Sequence, residues 1–120
     1  MDDEKMICNF LVNMFEEWGF SVSTASEGRQ ALEIYKEAFD KGESFHVVIM
    51  DLTIPGGMGG KEAIEEFLKI NPEVKCIVSS GYADDPVMTD YRNYGFKGIA
   101  TKPYTPDCLR EVINQVLKGT

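Results

Sequence analysis

The sequence predicts an α/β fold, a parallel sheet with helices on both faces, and three observations carry that prediction. Helix-spaced apolar stretches alternate with short apolar runs in the order α β α β α β α β α, which implies right-handed crossovers and a parallel sheet. Val47-Val48-Ile49-Met50 sets four apolar residues in a row before Asp51, the pattern of a strand buried on both faces. Pro55-Gly56-Gly57 then forces a loop. Asp51 therefore ends a buried strand, where open α/β sheets place their ligand sites.

The elements follow in order. Ile7, Phe10, Leu11, Met14 and Trp18 have helical spacing, so a helix is expected from about Asp3 to Trp18, with Met6, Met14 and Trp18 in the core. Gly19 suits the left-handed residue that ends it. Residues 20–25 alternate and read as a strand. Ser26 is a candidate cap for a helix through Ala31, Leu32, Ile34, Tyr35, Ala38 and Phe39. After the strand from His46 to Asp51, Ala63, Ile64, Phe67 and Leu68 share one face of a helix over 60–70, which Asn71-Pro72 stops. Residues 74–80 form the next strand and end in Ser79-Ser80. Asp85-Pro86 pairs a cap with a proline at the first helical position and opens a short helix ending near Gly95. Residues 96–101 form the last strand. Thr105-Pro106 repeats the cap-proline device before a helix lined by Leu109, Val112, Ile113, Val116 and Leu117.

The 120 residues suit a single domain, 1–120. A net charge of −8 argues against direct nucleic-acid binding, which needs clustered Lys and Arg. No apolar run approaches the ~20 residues of a membrane helix, and the opening Met-Asp-Asp-Glu-Lys is not a signal peptide. The expected setting is the cytoplasm, with no direct membrane contact. Cys8, Cys76 and Cys108 are odd in number and lack CxxC spacing, so they read as buried, reduced thiols.

Asp2-Asp3 lies at the first helix start, whereas Asp51, Ser80 and Lys102 lie at or just past strand ends. In a parallel sheet those strand ends share one edge, so these residues can converge. Carboxylates meeting there repel, by roughly 4 kcal/mol per pair at about 4 Å and an effective dielectric of ~20. A hard divalent cation removes that cost, and oxygen-only ligands favour Mg²⁺. Lys102 supplies an ammonium for a phosphoryl oxygen and Ser80 a hydroxyl. The set fits phosphoryl transfer to a carboxylate nucleophile, Asp51.

With those residues in hand, the chain resembles the receiver domain of two-component response regulators. The resemblance rests on Asp-Asp-Glu at 2–4, the block at 47–60, Ser-Ser-Gly-Tyr at 79–82 and Lys-Pro at 102–103. It covers essentially the whole chain and implies a flavodoxin-like fold. Asp51 would be the phosphoacceptor, taking its phosphoryl group from a phosphohistidine on a histidine kinase or histidine phosphotransfer domain. Asp2, Asp3 and Asp51 would hold Mg²⁺ with the backbone carbonyl of Thr53. Ser80 would follow the phosphoryl group, Lys102 would pair with it, and the Lys102–Pro103 bond would be cis. Such a domain catalyses only its own phosphorylation and dephosphorylation, although the 55–60 and 79–82 segments look most like receivers attached to hybrid histidine kinases.

Two departures stand out. Ile99 occupies the position of an aromatic residue that usually couples to the hydroxyl. The first strand of the family, central in its sheet, is reduced to Met1, so its neighbours would face a gap; a homodimer by strand exchange is one way to fill it. The same gap motivates an alternative, a receiver-like interaction module that works without phosphorylation. A phosphate-binding loop at 56–62 is excluded, because Pro55 and Glu62 stand where glycine and Ser or Thr are required.

Overall fold

The computed structural model describes residues 1–118. Its strands are β1 (Val48–Asp51), β2 (Cys76–Ser80) and β3 (Gly98–Thr101). They form one parallel sheet in the order β1-β2-β3. Register pairs Asp51 with Ser79 and Ser80 with Thr101, so the carboxyl ends of all three strands lie along one edge.

The helices are α1 (Lys5–Glu17), α2 (Gly28–Asp40), α3 (Gly60–Ile70), α4 (Pro86–Thr89), α5 (Tyr91–Tyr94) and α6 (Pro106–Leu117). Side chains of β2 alternate between two cores. Cys76 and Val78 join Tyr35, Ala63, Ile64, Phe67, Val87 and Met88 from α2, α3 and α4 on one face. Ile77 joins Leu11, Met14, Phe15, Leu109, Ile113 and Val116 from α1 and α6 on the other. Helices thus cover both faces, the expected α/β architecture.

Residues 20–25, expected as a strand, form none. A strand is stabilised by its ladder, and this segment has one such link, from the Asp2 amide to the Ala25 carbonyl at 3.0 Å. On its other side the Met1–Asp2 backbone continues the ladder of β1: the Met1 nitrogen donates to the Ile49 carbonyl at 2.6 Å and the Asp51 amide to the Met1 carbonyl at 2.9 Å. The first strand is reduced to Met1 as expected, but at this end the expected gap is bridged, since Met1 and Asp2 bond β1 on one side and Ala25 on the other. The shortening shows along β1, where Val48 and Ile49 are half-buried while Met50 and Asp51 are buried.

Other local expectations need correction. Glu27, not Ser26, caps α2, accepting from the Arg29 and Gln30 amides, while Ser26 bonds the Gln30 side chain. The helix expected from Pro86 to Gly95 breaks at Asp90, whose φ of −128° and ψ of 37° are not helical. Met6 is 84% and Phe10 41% exposed, whereas Phe15 is buried. The buried arc of α1 runs through Leu11, Met14 and Phe15, and Met6 and Phe10 fall beside it at 100° per residue. Of the free cysteines Cys76 is buried, Cys8 half-buried and Cys108 exposed, because Cys108 lies on the outer side of α6's first turn. The Asp85 and Thr105 caps are present, donated to by the Val87 and Cys108 amides. Gly19 is left-handed at φ 89° and the Lys102–Pro103 bond is cis.

The turn after β1 depends on close backbone approach. A Cβ on Gly59 would lie 2.3 Å from the Leu52 carbonyl oxygen, whereas one on Gly81 would meet nothing within 4 Å. Gly59→Ala is therefore expected to cost about 1–3 kcal/mol in urea unfolding, and Gly81→Ala to stay within about 0.5 kcal/mol. Equal effects would contradict the packing described.

Candidate functional site

Asp51 reaches the sheet edge because the apolar run before it is held in β1 between the Met1 backbone and β2. Asp2 arrives beside it through the same Met1 ladder and is fixed locally, since the Glu4 amide donates to Asp2 Oδ1 at 2.9 Å. Lys102 follows β3 directly, and its amide donates to the Ser80 carbonyl at 2.9 Å. From there its ammonium lies 2.8 Å from Asp2 Oδ2 and 3.0 Å from Asp51 Oδ2. Asp2 is 4% and Asp51 8% exposed.

The electrostatics follow from this packing. Burial pushes the Asp51 carboxyl above its ordinary value; the hydrogen bond and charge of Lys102 pull the other way, and nearby Asp2 adds to the rise. Burial alone would lower the Lys102 ammonium, but its hydrogen bonds to Asp2 and Asp51 outweigh that and carry it upward. Lys102 thus stays charged and Asp51 is held at a cost.

Asp3 is exposed, yet one of its oxygens lies within 4.8 Å of oxygens of Asp2 and Asp51. Three carboxylates this close, with no Cys or His among them, are a donor set suited to a hard divalent cation such as Mg²⁺. Thr53 lies two residues past Asp51, and its amide approaches Asp51 Oδ1 at 3.5 Å. Ser80, 5% exposed, ends the neighbouring strand; its hydroxyl accepts from the Tyr82 amide at 3.0 Å.

The structure therefore brings Asp2, Asp3, Asp51 and Lys102 together and sets Ser80 one residue beyond Asp51's register partner. Ile99 is half-buried against the α2–α4 core. Sequence reasoning missed Tyr104, whose phenol pairs with the Ser79 hydroxyl. Burial pushes that phenol's pKa up, and the bond to Ser79 opposes the rise. The signal was a tyrosine two residues after the lysine and a second serine before Ser80. It also missed Glu27, which accepts from the Met58 amide at 3.3 Å and so fastens the loop after Asp51 to the start of α2.

A buried strand-end carboxylate, a second acid and a shared lysine gather at one edge of the parallel sheet of this α/β protein. The chain belongs to the response regulator receiver domain family, which matches residues 1–114. Chemotaxis protein CheY of Thermotoga maritima is 33% identical over 119 residues, spanning 98% of this chain and 94% of that protein. Sporulation initiation phosphotransferase F of Bacillus subtilis is 26% identical over 98% of this chain and 90% of its own length. The sensor kinase CckA of Brucella abortus is 28% identical over 98% of this chain, which matches 12% of the kinase. Among solved structures, a CheY-like receiver domain from Methanospirillum hungatei superposes with a TM-score of 0.84 at 27% identity, covering 98% of this chain and 90% of that one. CheY of Borrelia burgdorferi, solved as a CheX-CheY-BeF3-Mg complex, shares the fold with a TM-score of 0.86 at 22% identity, over 96% and 84% of the two chains.

Two outcomes follow. Removing Lys102 leaves two buried carboxylates facing each other, so Lys102→Met is expected to lower metal-free stability by about 3 kcal/mol and to enlarge the rise in Tm on adding Mg²⁺. An unchanged Tm response would contradict the geometry. A carboxyl whose folded pKa is raised contributes fully while protonated, below its unfolded value, and that contribution is lost as pH rises through the folded pKa. Metal-free Asp51→Asn is therefore expected to gain stability over the parent as pH rises above 3.8, measured by denaturant midpoints across the acid range.

Proposed function

We propose that Asp51 is the phosphoacceptor of this receiver, taking a phosphoryl group from a phosphohistidine on a histidine kinase or histidine phosphotransfer domain. The observation that carries the reading is the single Lys102 ammonium shared by Asp2 and Asp51, with Asp3 oxygen alongside. An Asp51 oxygen forms the new bond to phosphorus as the bond from phosphorus to the imidazole nitrogen breaks, and the electron pair stays on the imidazole. Lys102 meets the phosphoryl charge, and the Ser80 hydroxyl donates to an equatorial oxygen.

Asp2, Asp3 and Asp51, with the carbonyl of Thr53, are the groups that would hold Mg²⁺. When bound, the ion neutralises charge between the carboxylates and the phosphoryl oxygens. The BeF3 and Mg in the Borrelia burgdorferi CheY complex support this choice of ion by analogy. On this reading the domain works in the cytoplasm and catalyses only its own phosphorylation and dephosphorylation. The match to a segment of CckA supports attachment to a hybrid kinase. Strand exchange between two copies would cover the β1 edge facing residues 20–25, and light scattering reads it as a doubled mass.

The alternative, an interaction module independent of phosphate, predicts acids displaced by the shortened first strand. Asp2 instead sits 2.8 Å from the lysine that pairs with Asp51, which supports the phosphoacceptor reading. Incubation with acetyl phosphate and Mg²⁺ is expected to add the mass of one phosphoryl group to the parent. Asp51→Asn is expected to gain none, and a chelator to abolish the gain. An unmodified parent would overturn the proposal.

A further inference from the structure

We propose that Tyr104 is a positioning residue for Lys102, and that its hydrogen bond to Ser79 is a second tie that holds the lysine's backbone from the far side of Pro103, beside the bond from the Lys102 amide to the Ser80 carbonyl. The inference rests on the reading of Lys102 as the partner of the phosphoryl group on Asp51.

The contacts close a ring. Asp51 pairs with Ser79 in the ladder between β1 and β2. The Ser79 hydroxyl meets the Tyr104 hydroxyl. Tyr104 is joined to Lys102 through Pro103 alone, and the Lys102 ammonium returns to Asp51 at 3.0 Å. A lysine stem is long and flexible, and holding its charge at one place costs rotamer freedom. Anchoring the backbone two residues on removes one source of that freedom. Pro103 donates no hydrogen bond, so between the Lys102 amide and the Thr105 cap the side chain of Tyr104 is the remaining tie to β2 among the described residues.

Packing alone does not account for the hydroxyls. Tyr104 lies against the core formed by Leu11, Ile77, Leu109 and Ile113, where a phenylalanine ring would pack equally well. Ser79 is 1% exposed in the middle strand, at a position where an apolar residue would continue the pattern of Ile77. The buried Ser79 hydroxyl and the phenol of the half-buried Tyr104 satisfy one another at the edge of an apolar core, and this pair does so beside Asp51's register position. Ile99 has no polar atom with which to take part.

The test is amine labelling of the whole chain, with Lys102 followed by mass spectrometry, the exposed Lys36 and Lys61 as references for reagent, and the half-buried Lys75 as the reference for loosening of the fold. Tyr104→Phe and Ser79→Ala are each expected to raise Lys102 labelling several-fold. The double variant should go no further than either, because both remove the same bond. The references should not move, and thermal melts confirm that each variant is folded. An unchanged Lys102 rate, or additive effects, would overturn the proposal. A purely structural role would instead raise Lys75, whose ammonium is held by the Leu117 carbonyl, together with Lys102. Phosphorylation by acetyl phosphate, run in parallel, is expected to slow several-fold in Tyr104→Phe and to lose that sensitivity in a Lys102→Met background. If the parent takes no phosphoryl group, the function assigned to Asp51 fails, while labelling still decides the role of Tyr104.

Discussion

One ammonium between two buried carboxylates governs this molecule. Asp2 and Asp51 come from segments far apart in sequence, and both are nearly sealed from water. Left alone they would repel by roughly 4 kcal/mol at about 4 Å and an effective dielectric of ~20. Lys102 answers that repulsion from a third element, with both ion pairs at or below 3.0 Å. A divalent cation or a phosphoryl group entering between these carboxylates would have to move that lysine from its present contacts.

The rest of the fold serves to deliver these three groups. A parallel sheet places strand ends on one edge, and the register of β1, β2 and β3 sets Asp51, Ser80 and the approach to Lys102 side by side. The loop after Asp51 runs so close to its own strand that Gly59 has no room for a side chain. It is then tied to α2 twice, through Glu27 and through the Gly28 amide, which donates to the Met58 carbonyl at 2.7 Å. On the opposite face the α1–α6 core seats Tyr104 against Ser79. The acid site is thus braced from both sides of the sheet.

Much of this was legible because the signals were local. The apolar run into Asp51, the proline-glycine turn and the two cap-proline pairs each have a short-range physical cause, and each appears where it was read. The failures were non-local except at the α2 cap. Residues 20–25 alternate like a strand, but alternation supplies no ladder when the neighbour is one residue long. Met6 and Phe10 are as apolar as Leu11, and only the direction of packing exposes them. Ser26 is a good cap by type, yet Glu27 is nearer the first free amides of α2. The Ser79–Tyr104 pair offered only its residue types as a signal, since it joins residues whose proximity is set by the sheet.

The central claim is that the carboxylate of Asp51 receives the phosphoryl group. Borohydride reduction of the phosphorylated chain, followed by tandem mass spectrometry, reads it directly, because an aspartyl phosphate is reduced to homoserine at its own position. The account predicts homoserine at residue 51 and at no other aspartate. Homoserine at Asp2 or Asp3, or a phosphoryl group that survives reduction on another residue, would contradict it.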